Sequence, residues 1–387
     1  MPNKITYILF TTFVILFAKI TIGQSVISHD ASDLLRIIKG KESVVDQVLA
    51  NPAKYHLQIN FTAVEEDQDK IKLNDYSLYK DKYYYHPASL IKFPLALISL
   101  EMLTQFQEQY GVDLQTPIQN KTCSCDFGTD NYVNHLKQPN LDHLYKEMLI
   151  MSNNEAYNFF YDFVGPTYFN KRMKELNIPN ILLRNRFYPG CAGIASKTHG
   201  GIYFMKDSIN SSYSINCQTD TLQDNTQNIY MNDPTALTHN VVSLSSLHQL
   251  MIQLFYPSFY KQDQTLKISE ANLNYFKTTI SSYPNSLLDY AAYPNHYHKY
   301  LIPSHLINNK DSAIKVYSKN GNAGGYISDV MFFTDEKSKV KYFLSVSMYN
   351  ATTKYYYRRR AHYTSPGLDF FRQLSKILYN YEKEKSN

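Results

Sequence analysis

The stretch "HPASLIKFPLALISLEML", residues 86–103, constrains the fold more than any other part of the chain. A helix of this composition has no polar face to give to water and reads as a buried core helix. It nevertheless carries Ser89 and Lys92, three positions apart at its head. On a helix the two side chains share one face, one turn apart. A lysine among apolar neighbours either snorkels to water or tends toward the neutral amine, a base able to take a proton from a hydroxyl. The helix start favours an alkoxide at Ser89, because backbone N–H groups and the positive end of the helix converge there. Pro94 is expected to remove one helical hydrogen bond and bend the helix slightly.

Around this helix the pattern predicts one α+β unit. Residues 31–52 read as an amphipathic helix, and the alternation in "KYHLQINFTAV" (54–64) reads as a strand. A second strand is expected in "YSLYKDKYYYHP", ending at Pro87. Helices fit 141–151, 154–165 and 243–255, while the polar stretch 193–233 reads as an insertion or long loop. Near the end, "YISDVMFFTD" and "KYFLSVSMYN" form a hairpin before a closing helix, "GLDFFRQLSKILYNYEK". Strands at both ends with helices between them imply an antiparallel sheet shared by the two termini.

The chain has 387 residues, 44% hydrophobic and 19% charged, with a formal charge of +5. That describes a globular protein and gives no case for a nucleic-acid partner; Arg358-Arg359-Arg360 reads as solvated surface. The N-terminus has Lys4, an apolar run from Ile5 to Ala18, and small residues around Gly23. This is a secretory signal pattern over residues 1–23, with Lys19 interrupting any membrane span. The mature chain is expected to be periplasmic or secreted, without stable membrane insertion. Export makes Cys123, Cys125, Cys191 and Cys217 disulfide candidates with three possible pairings. No metal or organic cofactor is called for: "CSC" lacks zinc-ligand spacing, and "HYH" at 296–298 reads as a surface loop.

Five Ser-x-x-Lys pairs occur, so the spacing alone carries little; the setting of Ser89 singles it out. A second element, "MSNNEAYNFF", offers Ser152 and Asn154 between two helices. They fit a proton relay and an amide that holds a lysine and a substrate carbonyl, but Ser and Asn also serve as plain helix caps. A third, "VYSKNGNAGGYISDVMFF", places Lys319 and Gly321 on a strand. Lys319 offers charge to a carboxylate, and Gly321 would let a substrate lie close to the backbone. The N–H of Asn322 could form an oxyanion hole with that of Ser89.

In order, Ser-x-x-Lys, Ser-x-Asn and Lys-x-Gly resemble the signature of penicillin-recognising serine enzymes, and the flanks of the first two resemble class A β-lactamases. The resemblance spans roughly residues 31–380. It implies a single catalytic domain over 24–387, with an α/β part (about 31–88 and 300–387) and an all-α part (about 89–299). It also implies Ser89 as acylated nucleophile, Lys92 as its proton acceptor, Ser152 as relay to the leaving nitrogen, Asn154 as substrate positioner and Lys319 as carboxylate binder. The substrate would be a small molecule, either a β-lactam or a D-Ala-D-Ala peptide.

Three departures from that pattern matter. Asn320 stands where Thr or Ser is usual, and Asn153 replaces an Asp. The deacylating glutamate is missing: the matching loop is "RNRFYPGCAG" (184–193), its glutamate position is Tyr188, and the partner asparagine is lost beside Ala192. Glu155, Glu175 and Glu270 sit in no matching context, leaving Asp207, Asp220, Asp224 and Asp233 as alternatives. A phenol with pKa near 10 is a poor base at neutral pH. Cys191 is expected to tie this loop down, with Cys217 as its partner. The leading expectation is a β-lactamase; a D,D-peptidase needs no such glutamate, and a penicillin-binding relative without turnover is the third reading.

Overall fold

The computed structural model describes residues 23–68, 70–121, 123, 139–187, 198–206, 210–220, 230, 232, 239–287, 293–294, 297–308, 311–350 and 366–386. Residues 1–22 of the expected signal segment, Tyr188, Cys191 and Ala192 lie outside these, as do Cys125, Asp207, Asp224, Asp233 and Arg358-Arg359-Arg360.

Six strands form the main sheet: β1 (Gly23–His29), β2 (Gln58–Asp67), β3 (Lys70–Leu78), β4 (Ile314–Ala323), β5 (Tyr326–Asp335) and β6 (Val340–Tyr349). Their order is β1-β3-β2-β6-β5-β4. The termini meet where β2 pairs antiparallel with β6, Phe61 opposite Leu344. Only β1 joins in parallel, against β3. Alternate side chains serve two cores, as the two-residue period of a strand requires. Met331 and Phe333 face a layer built by the helices α1 (Ala31–Ile38), α2 (Ser43–Leu49) and, at the other end of the chain, Gly367–Ser386. Val330 and Phe332 face the larger helical core.

That core is organised by α3 (Lys92–Tyr110), buried from Lys92 through Glu101. The segment Ala88–Tyr110 is long and apolar enough to cross a membrane, and here it is mostly buried inside the protein. Pro94 falls in the first turn of α3, where N–H groups have no intrahelical partner, so the expected loss of a hydrogen bond does not occur. Gly111, at φ 66°, closes the helix. Around α3 stand α4 (Leu141–Leu149), α5 (Asn154–Val164), α6 (Pro166–Glu175), α7 (Leu244–Phe255) and α8 (Glu270–Ser281), followed in sequence by the closing helix α9 (Gly367–Ser386). Arg172 on α6 clamps Glu101 on α3 through two hydrogen bonds of 2.8 and 2.9 Å, both side chains buried.

Several expectations need correction. The helix read over 31–52 is two helices, because Gly40 turns the chain at φ 74° and its N–H bonds to Asp46 Oδ1 at 2.8 Å. The second strand lies earlier, at Lys70–Leu78; Tyr79 and Asp81 adopt left-handed φ (55° and 47°) and end it. Part of the 193–233 stretch is ordered sheet: Ile202–Met205 and Ser211–Ile215 pair with each other, and the first also pairs with Ile118–Asn120. The disulfide there joins Cys123 to Cys217, so Cys217 is not the partner of Cys191. β2 was legible by alternation and β5 and β6 by their long apolar runs; β1, "GQSVISH", has too weak a pattern to show.

Candidate active site

Ser89 sits in a single 3-10 turn, Ala88–Ile91, which runs directly into α3. Ala88, before it, is held at φ 46°, a left-handed conformation rare for a residue with a side chain. The turn lies against β4 because Gly321 leaves room. A Cβ at 321 would stand 2.6 Å from the Pro87 carbonyl oxygen and 3.2 Å from Leu90 Cγ. The close approach expected for a substrate is therefore made by the chain itself, and it fixes Ser89 beside the strand.

Between α4 and α5 the backbone takes a second left-handed step, at Ser152 (φ 59°). The helix cap is Asn153, whose side chain accepts from the N–H groups of Glu155 (2.8 Å) and Ala156 (3.0 Å). Its side-chain amide also donates to Glu147 Oε2 at 3.2 Å. With capping done by Asn153, Ser152 and Asn154 are free to face the lysine. Non-glycine residues in this conformation cluster where function over-determines the backbone.

Lys92 is fully buried. Its Nζ reaches Ser89 Oγ at 3.0 Å, Asn154 Oδ1 at 2.7 Å, the Ser152 carbonyl oxygen, and Ser152 Oγ at 3.4 Å. Burial pushes its pKa well below the usual lysine value and nearby Lys319 pushes it further, against a smaller opposing pull from Glu155. A neutral amine has two N–H donors and one lone pair. The Ser152 carbonyl and the Asn154 amide oxygen can only accept, so they use both donors. The lone pair is left for a hydroxyl proton, and Ser89 offers one at 3.0 Å.

Lys319, on β4, donates to Ser152 Oγ at 2.9 Å and to the carbonyl oxygen of Asn320 at 3.3 Å. Burial lowers its pKa to about 7 despite Asp329, whose negative charge opposes the shift. Asp329 is itself buried and raised to about 7, with Oδ2 accepting from the N–H groups of Tyr300 and Leu301 at 2.9 and 3.1 Å. Lys299 is also buried, but its Nζ bonds to the carbonyl oxygens of Ile280 (2.6 Å) and Val316 (2.9 Å), groups with no proton to exchange. His298, expected on a surface loop, is half-buried; burial first, then the charges of Lys319, Lys92 and Lys299, hold its pKa well down. Asn322 is exposed near the end of β4.

Opposite Lys92 comes the segment leading to Tyr188. Asn158 grips Phe187 through both its backbone N–H and its carbonyl, at 2.8 Å each. Tyr157 Oη donates to the Asn185 carbonyl at 2.7 Å, and Asn240 Oδ1 accepts from the N–H groups of Arg184 and Asn185 at 2.7 and 3.0 Å. The Phe187 ring lies 5.2 Å from Lys92 Nζ, centroid to nitrogen. Among the described residues no carboxylate hydrogen-bonds to Ser89, Lys92, Ser152 or Lys319. Asp220 is occupied elsewhere, accepting from Thr167 N (2.8 Å) and meeting His199 Nε2 at 3.1 Å. Glu175 pairs with Arg172, and Glu270 opens α8.

The structure brings together Ser89, Lys92, Ser152, Asn154 and Lys319, all singled out in the sequence. Sequence reasoning missed Asn158, Asn240, Phe187, Lys299 and Asp329. Asn158 had a signal: it follows Asn154 by one turn on the same face of a largely apolar helix.

A family profile described as "Beta-lactamase enzyme family" matches residues 44–263, ending before Lys319. No curated protein matches the sequence. Among solved structures, PBP-A is similar at TM-score 0.53 with 14% identity, covering 92% of this chain and 98% of that one. The TLA-1 extended-spectrum β-lactamase is similar at TM-score 0.51 with 13% identity, covering 89% and 99%. A β-lactamase from Burkholderia ambifaria follows at 0.51 with 11% identity, covering 87% and 97%. At such identities these likenesses concern the fold, an α+β sheet with a helical subdomain. The profile spans more than half of the chain, which therefore belongs to the beta-lactamase enzyme family.

Proposed function

We propose that the protein is an exported serine hydrolase that opens the amide of a β-lactam by acylating Ser89. The observation that carries this is the contact between Ser89 Oγ and a fully buried Lys92 whose other partners exhaust its donors. Lys92 takes the Ser89 proton as Oγ bonds to the carbonyl carbon; the C–N bond then breaks as Ser152 delivers its proton to the nitrogen and recovers one from protonated Lys92, 3.4 Å away. Lys319 keeps Ser152 Oγ oriented and meets the substrate carboxylate, while Asn154 holds both Lys92 and the substrate. The N–H groups of Ser89 and Asn322 serve the oxyanion. Export is part of the proposal, supported by the apolar N-terminal run and the Cys123–Cys217 disulfide.

A second reading, a D,D-peptidase acting on peptidoglycan stem peptides, is favoured by one observation. The segment facing Lys92 presents the Phe187 ring, and no described carboxylate hydrogen-bonds to the cluster. Such an enzyme acylates by the same groups. The test is incubation with a chromogenic cephalosporin and, separately, with a D-Ala-D-Ala peptide. Cephalosporin turnover abolished in Ser89→Ala supports the β-lactamase; wild-type inactivity across a broad β-lactam panel contradicts it. D-Alanine release from the peptide, with no turnover of the cephalosporin however slow, would favour the peptidase instead. An adduct trapped on Ser89 by either route refutes a binder without chemistry.

A further inference from the structure

The strand β2 breaks the rule that buried sheet faces are apolar. Ile59, Phe61 and Ala63 fill the core under the terminal helices, as expected. Gln58, Asn60 and Thr62 point the other way, where alternation alone would put water, yet they are 0, 3 and 1% exposed. α7 packs over this face, and between helix and sheet lies a cavity of about 490 Å³. It shares no lining residue with the Ser89 cluster. Polar side chains at core positions are errors unless they have partners or a function.

Thr62 has its partners: Asp75 Oδ1 at 2.8 Å and His248 Nε2 at 2.8 Å, the histidine being tied in turn to Ser345 Oγ at 2.8 Å. Asn60 does not. Asn60 lines the cavity, and its Nδ2 is buried without a hydrogen-bond partner among the described residues. Asp75, directly across from Thr62, uses only Oδ1 in a hydrogen bond. Asp81, also at the cavity, is held by Ser245 through both its backbone N–H and its hydroxyl. The apolar walls are Leu73, Ile252 and Phe259. The cavity therefore presents one unused donor, one unused carboxylate oxygen and an apolar body between layers, which is the composition of a ligand site.

We propose that this cavity binds a small organic cation: an amine that donates to Asp75, with a hydrogen-bond acceptor for Asn60 and an apolar or aromatic centre. Asn60 and the position facing Asp75 are two residues apart on one strand face, so amine and acceptor sit roughly 7 Å apart. An anion fits poorly, because two carboxylates border the space and Lys80 is the one cation on its lining.

Tyramine is a suitable probe, with its ammonium and phenolic oxygen at opposite ends of one ring. Its neutral relative 4-ethylphenol and the anion 4-hydroxyphenylacetate serve as comparisons, with affinities measured by calorimetry on the full chain. Saturable tyramine binding is expected, weakened at least about tenfold on removing the amine or in Asp75→Asn, the loss of one charge-assisted hydrogen bond. Asn at 75 can still accept from Thr62. Ile252→Trp, which fills the cavity, should also abolish binding, and thermal unfolding of each variant reports whether it is folded. No saturable binding to the wild type, equal binding by the anion, or unchanged affinity in folded Asp75→Asn would each overturn the proposal.

Discussion

On one side of Ser89 stand Lys92, Ser152, Asn154 and Lys319, joined by hydrogen bonds of 2.7–3.4 Å and fixed by two left-handed backbone steps. On the other side the chain from Arg184 to Phe187 is held just as firmly, by Tyr157, Asn158 and Asn240, yet brings a phenyl ring toward Lys92. Among the described residues, only the first wall brings a lysine and hydroxyls into hydrogen-bond contact with one another. Forming an acyl-enzyme and hydrolysing it make separate demands, and in the proposed mechanism the first wall answers the first demand alone. A second pair sharpens the lesson. Lys92 and Lys299 are both buried and both shifted down by burial, but Lys92 contacts hydroxyls while Lys299 contacts backbone carbonyls. Burial makes a lysine a potential base; its partners decide whether there is a proton to take.

The largest effect should come from Ser89→Ala, which removes the acylation site: no covalent adduct with penicillin by intact-protein mass spectrometry. Lys92→Met should retain slow acylation, reduced about 10²–10⁴-fold as for loss of a positioned general base. The parallel change at Lys299 tests the comparison: Lys299→Met should leave the acylation rate within a few-fold, and an equal loss would erase the distinction between the two lysines. At the sequence position where the resemblance expects the deacylating glutamate, Tyr188→Glu should shorten the lifetime of the adduct about 10²-fold while leaving its formation little changed. Adduct lifetime unaltered by that glutamate would mean that deacylation relies on another group.

The pH dependence separates two lysines within the first wall. Acylation needs Lys92 neutral, so its rate rises with pH through a pKa depressed well below the usual lysine range. Carboxylate binding needs Lys319 charged, so affinity falls as pH rises through about 7. The acylation efficiency should therefore be bell-shaped. Lys319→Arg should move the alkaline limb upward, because a guanidinium stays charged. The smallest effect is expected from Asn320→Thr, which supplies the hydroxyl usual at that position. It should improve substrate affinity by about three- to tenfold, within the range of one hydrogen bond to a charged group.

Much of this was legible in the sequence, for physical reasons that differ by region. α3 was readable because a helix apolar on every side has one place to go, and β5 and β6 because their runs are long and hydrophobic. The Ser89 and Ser152 elements were readable because each sets a polar pair against an apolar helix. The cap at Asn153 was not separable from its neighbours, since Ser and Asn have similar capping ability and the backbone at Ser152 had to be seen. Gly321 was noticed for the right property, close approach, but its neighbour Pro87 is remote in sequence. The polar face of β2 misled most: alternation points Asn60 and Thr62 to water, and only the packing of α7 shows them buried.

The most direct measurement is a time course of intact-protein mass after mixing with benzylpenicillin, with the adduct mapped by peptide digestion. The account predicts rapid appearance of a single penicilloyl group on Ser89 and its slow disappearance, so that the adduct is the dominant species long after acylation is complete. Full penicillin turnover with no accumulating adduct would contradict the contrast between the walls, and no adduct and no turnover would contradict the role given to Ser89 and Lys92.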